Sequence, residues 1–317
     1  MRAIQITEFG GPDVLRQKDI PDPQPGRDQL LIEVGRAGVN YADTHQAENS
    51  YVAETTLPLV PGLEVVGRTA DGRRVVALVS GGGYAERVAA EPSMVFDVPD
   101  DVDDTTALSM VLQGMTAWLL LRKSVHLEAG DTVVVHAAAG GVGSIAVQLA
   151  KAWGAGRVIA TASSADKRQL ATDLGADVAV DSNAGDMTAA LREANGGHAV
   201  DVVLDMTGGR VTDQSIAALA PFGRLGFYGM AGREQPTPVQ PAELLARSAT
   251  IAGMWLVHAA RLPGVRERVM SELFSLAQQG KLRAVAGGEY GLSEARRAHE
   301  DIRARRTTGK LVLDPSR

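Results

Sequence analysis

Apolar and polar positions follow two different rhythms along this chain, and the change between them predicts its elements. Over residues 1–111 the apolar residues fall in short runs, such as 29–34 and 74–79, separated by Gly, Pro and Asp clusters. That pattern predicts an irregular β-rich region, and the opening Met1-Arg2-Ala3-Ile4-Gln5-Ile6 alternates as a strand does. Over 104–122 the spacing turns helical, with Leu108, Val111, Leu112, Met115, Leu119 and Leu120 on overlapping faces. Beyond it, strands are expected at Thr132–Val135, 158–162, Val200–Asp205 and 224–228, alternating with helices at 144–153, 165–174 and 211–219. Such alternation predicts βαβ units and a parallel sheet. Two more helices, 264–279 and 293–305, precede a strand at 310–313, and the C-terminal part is expected to fold back onto the first region.

Composition narrows the class. With 317 residues and 45% apolar side chains, the chain can bury one large core or two ordinary ones. A net charge of -6, with arginines scattered along the chain, offers no footprint for nucleic acid or an anionic membrane, so neither partner is expected. No stretch is long and apolar enough for a signal or a span, which makes a cytoplasmic protein the expectation. Zero cysteines exclude disulfides, a thiol nucleophile and any zinc site that needs thiolate.

The strongest local signal is an apolar strand, residues 131–136, that runs into Ala139-Gly140-Gly141-Val142-Gly143 and then a helix. Gly141, Gly143 and Ala146 fit the spacing G-x-G-x-x-A. Glycine permits the tight turn and lets backbone approach a pyrophosphate, while the helix N-terminus aims N–H groups at the anion. A plain strand-to-helix turn is the alternative, and the strand-loop-helix context argues against it. Ala139, Gly140, Gly141 and Val142 are therefore the expected phosphate-binding residues of a dinucleotide site.

An acid at the end of the next strand, about 20 residues on, would hold the ribose of NAD. Ser163 and Ser164 stand there instead, followed by Lys167 and Arg168, a set suited to a 2′-phosphate. NADPH is the expected cofactor. Asp166 remains the alternative ribose acid if the strand ends later.

The segments Gly38-Val39-Asn40-Tyr41-Ala42-Asp43, Pro61-Gly62-Leu63-Glu64, Gln113-Gly114-Met115-Thr116-Ala117 and Ala139-Gly140-Gly141-Val142-Gly143 occur in the order found in medium-chain dehydrogenases/reductases. The chain resembles that family along essentially its whole length. The resemblance implies an α/β protein: a GroES-like catalytic domain over 1–118 and 260–317, and a doubly wound, parallel-sheet Rossmann domain over 119–259. In the zinc alcohol dehydrogenases of the family, a Cys after the Gly-Val pair and a His after the Pro-Gly pair hold the metal. Here Asn40 and Leu63 stand in those places, so no metal is expected. The six histidines lack metal-binding spacing and are expected to be surface or packed residues.

Loss of those ligands makes the chain similar to the quinone oxidoreductases and their zinc-free relatives, the enoyl reductases among them. By that resemblance Asn40 faces the nicotinamide and Thr116 lies near it. Thr207, Gly208, Phe227, Tyr228 and Gly229 line the cofactor cleft, and Arg305 contacts the cofactor near the domain junction. One departure is Ser182, where some relatives place an aromatic residue against the 2′-phosphate.

Without a metal to polarise a carbonyl, the acceptor has to be activated already, as a quinone or enone is. Asn40, Tyr41 and Tyr51 are the candidate catalytic donors to a developing oxyanion, with packed aromatics the plain alternative for the two tyrosines. Met254 and Trp255 are expected to offer a flat apolar surface to a ring, unless their segment is a subunit-interface strand. Relatives dimerise by pairing sheet edges near this place, which implies a homodimer. The expected reaction is NADPH-dependent quinone reduction. Its rivals are enone reduction in the same cleft and an NADPH-binding sensor with little turnover.

Overall fold

Strands from two distant parts of the chain join in one sheet. The structure, a computed structural model, describes residues 1–262 and 264–317, with side chains at all of these but 260 and 261. It divides into two units, Met1–Gln113 with Ala260–Arg317, and Gly114–Ala259. In chain order the strands are β1 (Arg2–Gln5), β2 (Arg16–Asp19), β3 (Leu30–Val39), β4 (Glu64–Thr69), β5 (Arg74–Leu78), β6 (Arg87–Ala90) and β7 (Val95–Asp97). Next come β8 (Thr132–Val135), β9 (Arg157–Ala162), β10 (Val178–Asp181), β11 (Val200–Asp205), β12 (Leu219–Phe227) and β13 (Thr250–Gly253). The last two are β14 (Ala286–Gly291) and β15 (Lys310–Asp314).

In the first unit a sheet runs β14-β15-β3-β4-β5-β7, with β6 also paired to β3. Along β3, Ile32 and Val34 point into the core while Glu33 between them is exposed, the period-2 alternation of a strand covered on one face. Strand β15 pairs antiparallel with the end of β3, at Leu311 opposite Val39, so the C-terminal strand does return to the first region. Its Leu311 and Leu313 join Ile32, Val39, Val65 and Val75 in one apolar cluster.

The second unit holds a six-stranded sheet, β10-β9-β8-β11-β12-β13, in which every pairing is parallel. All four residues of central β8 are buried, as expected of a parallel strand covered on both faces. Strand order reverses at β8, with β9 on one side and β11 on the other. In such sheets the carboxyl ends at the reversal are where a ligand binds.

Three elements differ from expectation. The segment expected as one regular helix is an α-turn at Asp104–Leu108, capped by Asp103 accepting from Thr106 N–H at 2.9 Å, followed by wide turns at Ser109–Gly114 and Leu120–Ser124. The first wide turn falls where the chain passes from one unit to the other. The helix expected at 144 begins at Gly141, because the glycines of the turn enter the helix. Strand β12 starts at Leu219 and carries Phe222 in a left-handed conformation, an irregularity that apolar spacing does not register. Among the described residues no helix is long and apolar enough to cross a membrane.

Candidate active site

At the carboxyl end of β8 the chain makes the turn that the glycine pattern implies. Ala137 takes a left-handed φ of 50°, Gly140 N–H donates to Ala137 O at 2.9 Å, and the helix Gly141–Ala152 starts at once. No side chain caps that helix, so its first N–H groups are left for a ligand or water. Gly143 packs against the turn: a Cβ there would meet Ala137 O and come within 2.8 Å of Ala138 Cα. Just before the turn, buried His136 places Nδ1 3.0 Å from Thr161 Oγ1 and Nε2 2.8 Å from Ser215 Oγ. Burial pushes its pKa down, so the neutral ring ties β8 to β9 and to the helix Gly209–Ala218.

Strand β9 ends at Ala162, and Ser164 caps the helix Ala165–Asp173, its Oγ accepting from Lys167 N–H at 3.3 Å. Asp166 lies in the first turn of that helix, past the strand end. Arg168 donates to Ala162 O at 3.3 Å and lies 3.3 Å from Asp181 Oδ2, a carboxylate delivered by β10. Asn183, just beyond, donates from its backbone to Asp181 Oδ1 at 2.9 Å and from its side chain to Ser163 O at 3.3 Å. That backbone bond, and then the Arg168 charge, hold the Asp181 carboxyl below its usual range. Arg168 therefore already has an anionic neighbour in this loop, which sequence spacing alone did not reveal.

The end of β11 is organised by Asp205, a residue the sequence reading passed over. Its carboxylate accepts from Thr207 N–H at 2.7 Å and from the Thr212 hydroxyl, and its carbonyl accepts from Tyr228 N–H at 2.9 Å. Burial, and then the Asp205 charge, push the Tyr228 phenol up. Gly208 has a φ of 83°, and a Cβ there would lie 2.7 Å from Met230 Cγ. On the next strands Met254 N–H donates to Phe227 O at 2.9 Å, and the Trp255 ring stacks edge-on to His258 at 5.3 Å. Thr116 is buried in the helix Met115–Leu119. The carboxyl ends of β8, β9, β11, β12 and β13 thus collect Ala139, Gly140, Gly141, Val142, Ser163, Ser164, Thr207, Gly208, Phe227, Tyr228, Gly229 and Met254 along one edge of one sheet.

In the other unit Asn40 follows the last residue of β3 and is buried. Its Nδ2 donates to Glu64 Oε1 at 2.6 Å, and its Oδ1 accepts from Gln113 Nε2 at 3.3 Å. Glu64 is in turn paired with Lys310, and both side chains are fully buried. Asp43, one turn into the helix Tyr41–Ala47, accepts from Asn40 N–H and from the Tyr84 hydroxyl, each at 2.8 Å. His299 Nε2 lies 3.1 Å from that same hydroxyl. Burial raises the Asp43 carboxyl to about 7 and lowers His299 to about 3. Tyr41 is half-buried with its ring 5.5 Å from His45, and Tyr51 is half-buried in the loop that follows. Arg305 is exposed in a left-handed turn after the helix Ala295–Arg303. Lys310, Tyr84 and His299 were not among the expected site residues. Their signal was faint: Lys310 is a cation opening an otherwise apolar strand.

Among the described residues no grouping of three or more His, Asp or Glu side chains could hold a metal ion. Asn40 is an amide already engaged at both ends, and Leu63 is aliphatic with no donor atom on its side chain.

This pairing of a β-rich unit with a six-stranded parallel sheet is the architecture of the medium-chain dehydrogenases/reductases, and the chain matches two of their family descriptions. Residues 26–100 match the alcohol dehydrogenase GroES-like domain and residues 141–273 the zinc-binding dehydrogenase family. A quinone oxidoreductase of Pseudomonas aeruginosa is 34% identical, with 99% of each chain covered. Among solved structures, a mycobacterial protein complexed with NADPH is 41% identical at a TM-score of 0.92, covering 99% of this chain and 100% of that one. The Escherichia coli quinone oxidoreductase complexed with NADPH is 29% identical at a TM-score of 0.91, again over 99% of this chain and 100% of the other. The chain belongs to the zinc-free quinone oxidoreductase branch of the medium-chain dehydrogenase/reductase family.

Proposed function

We propose that the chain is an NADPH-dependent enzyme that reduces quinones or related activated carbonyl acceptors by direct hydride transfer, without zinc. The observation that carries this reading is Asn40. Where zinc relatives place a ligand, this amide is held by Glu64 and Gln113, beside a Leu63 that has no donor atom. Two of the solved relatives were complexed with NADPH, which supports the same cofactor here.

The residues fit a dinucleotide. The left-handed turn at Ala137, the absence of room for a side chain at Gly143 and the uncapped helix behind it form a backbone cradle for a pyrophosphate, lined by Ala139, Gly140, Gly141 and Val142. Ser163, Ser164, Lys167 and Arg168 are assigned to the 2′-phosphate. Thr116, Thr207, Gly208, Phe227, Tyr228, Gly229, Arg305 and Asn40 are assigned to the rest of the cofactor. When bound, NADPH supplies the hydride from its nicotinamide ring.

The chain's own work is to orient the acceptor, exclude water and stabilise charge on oxygen. Asn40, Tyr41 and Tyr51 are the proposed donors to that oxygen, and Met254 with Trp255 the apolar surface for the ring. An acceptor whose carbonyl is conjugated needs no metal to lower its barrier, which is why a plain alcohol or ketone is not the proposed substrate.

The test follows nicotinamide absorbance with NADPH and NADH against ortho-quinones, para-quinones, enals and enones, with and without a chelator. Chelator-insensitive oxidation of NADPH by quinones is the expected outcome. Oxidation by enones alone moves the reaction to carbon-carbon double bonds, and NADPH binding without turnover by any acceptor refutes an enzyme.

A further inference from the structure

Three neighbouring strands bring one buried ion pair to Asn40. Strand β3 runs antiparallel to β15 on one side and to β4 on the other, so its end meets the starts of both. Continuing the registers Leu311–Val39 and Val65–Ala37 sets Lys310 opposite Asn40 and Glu64 opposite Gly38. Residues directly opposite in antiparallel strands share a face, as do residues two apart in one strand, so all four positions face the same way. Gly38 supplies the space: a Cβ there would strike Glu64 Oε1 and lie 2.6 Å from Lys310 Nζ.

A buried ion pair is weak as a source of stability, because desolvating two charges cancels most of their attraction. What it supplies is direction. Asn40 has one end that only accepts and one that only donates. A carboxylate accepts and never donates, so Glu64 takes the Nδ2 end of Asn40 at 2.6 Å and leaves Oδ1 toward Gln113 Nε2. Lys310, also fully buried, is paired with that carboxylate and holds it in place. With either charge missing the preference is lost. An unpaired Lys310 has only donors to offer and draws Oδ1 toward itself. Without Lys310, Glu64 loses the cation that fixes its carboxyl against Asn40, and the amide loses its fixed partner.

We propose that Glu64 and Lys310 are positioning residues that fix which way the Asn40 amide points, and with it the groups Asn40 presents to nicotinamide or acceptor. The inference rests on the role given to Asn40 under the proposed function. It goes beyond that role by assigning the amide's orientation to a charge pair built from β4 and β15.

The test is a cycle of variants: Asn40→Ala, Glu64→Gln, Lys310→Met and the double variant Glu64→Gln/Lys310→Met. The double variant is neutral, and its new amide at position 64 can accept from Asn40 Nδ2 while Gln113 still donates to Oδ1. Each single charge variant should lower kcat about tenfold, the scale of a small misplacement of a reacting group. Affinity for 2′,5′-ADP, which reports the sheet edge of the other unit, should stay as in the native protein. The double variant should recover to within about threefold of native kcat, a non-additivity of the kind shown by coupled neighbours. If a single variant is too unstable to assay at 25 °C, kcat is read at 10 °C and Lys310→Arg, which keeps the charge, replaces Lys310→Met: kcat near native is expected, and a loss as large as that of Glu64→Gln counts against the positioning role. A double variant as slow as or slower than the singles overturns the positioning role and leaves Asn40's own role standing, provided Asn40→Ala is slow. An Asn40→Ala variant as fast as the native protein overturns the role of Asn40 and the inference with it.

Discussion

Asp43 and His299 reach the same Tyr84 hydroxyl from two helices, and burial moves their proton affinities in opposite directions. Asp43 rises from 3.8 to about 7, so between those values the folded state holds a proton that the unfolded chain has released, and stability falls as pH rises. His299 drops from 6.5 to about 3, so there the unfolded chain holds the extra proton, and stability falls as pH falls. The two slopes oppose each other over roughly pH 4 to 6.5. Asp43→Asn should expose the histidine slope and lose stability toward acid. His299→Gln should expose the carboxyl slope and lose stability toward neutrality, each by up to about 1.4 kcal/mol per pH unit relative to the native protein. Denaturant unfolding at pH 4.5, 5.5 and 6.5 measures both, and parallel profiles for the two variants would refute the assignment. At this scale the sequence was legible in part. Asn40 and Leu63 stood out because a motif frames them, and Glu64 because it follows. Lys310 did not, because it lies 246 residues from Glu64 and pairs with it only through sheet register. His136 was silent for the same reason: its partners Thr161 and Ser215 come from another strand and a distant helix.

Among elements, the turn from β8 into the helix Gly141–Ala152 was readable from local spacing, because strand, turn and helix N-terminus are consecutive and each glycine has a backbone reason. Its two tightest glycines should not tolerate change equally. At Gly143 a methyl group meets backbone, Ala137 O and Ala138 Cα, which cannot rotate away. At Gly140 the nearest atom, Ala137 O, is 3.2 Å off. Gly143→Ala should weaken NADPH binding by at least about tenfold and cost about 1–3 kcal/mol of stability, with Gly140→Ala milder on both counts. Fluorescence titration with NADPH checks this, and unchanged affinity in Gly143→Ala would remove the turn from the cofactor site. Elements less legible were those whose shape depends on what lies across from them. The wide turns at Ser109–Gly114 and the early start of β12 keep the apolar spacing of an ordinary helix and strand while departing from their backbone geometry.

For the molecule as a whole, β13 is the outer strand of the six-stranded sheet, with Thr250 and Gly253 exposed and Ile251 and Ala252 half-buried. An edge of this kind is a template for another strand, and the proposed homodimer would use it by pairing β13 with its copy. Light scattering should then give twice the protomer mass for the native protein and a single protomer for Ile251→Lys, whereas a native monomer would refute the homodimer. The β-rich unit carries a different topological consequence, because β3 is flanked at Ala37, Gly38 and Val39 by a strand that begins only at Lys310. During synthesis, residues 114–259 emerge as one contiguous stretch able to complete its own sheet. The earlier residues have to wait, with one edge of the end of β3 unpaired and Glu64 without Lys310, until β15 leaves the ribosome. A nascent chain of this protein therefore carries a bare strand edge beside Asn40 for most of its translation, and such an edge is what a holdase chaperone would cover.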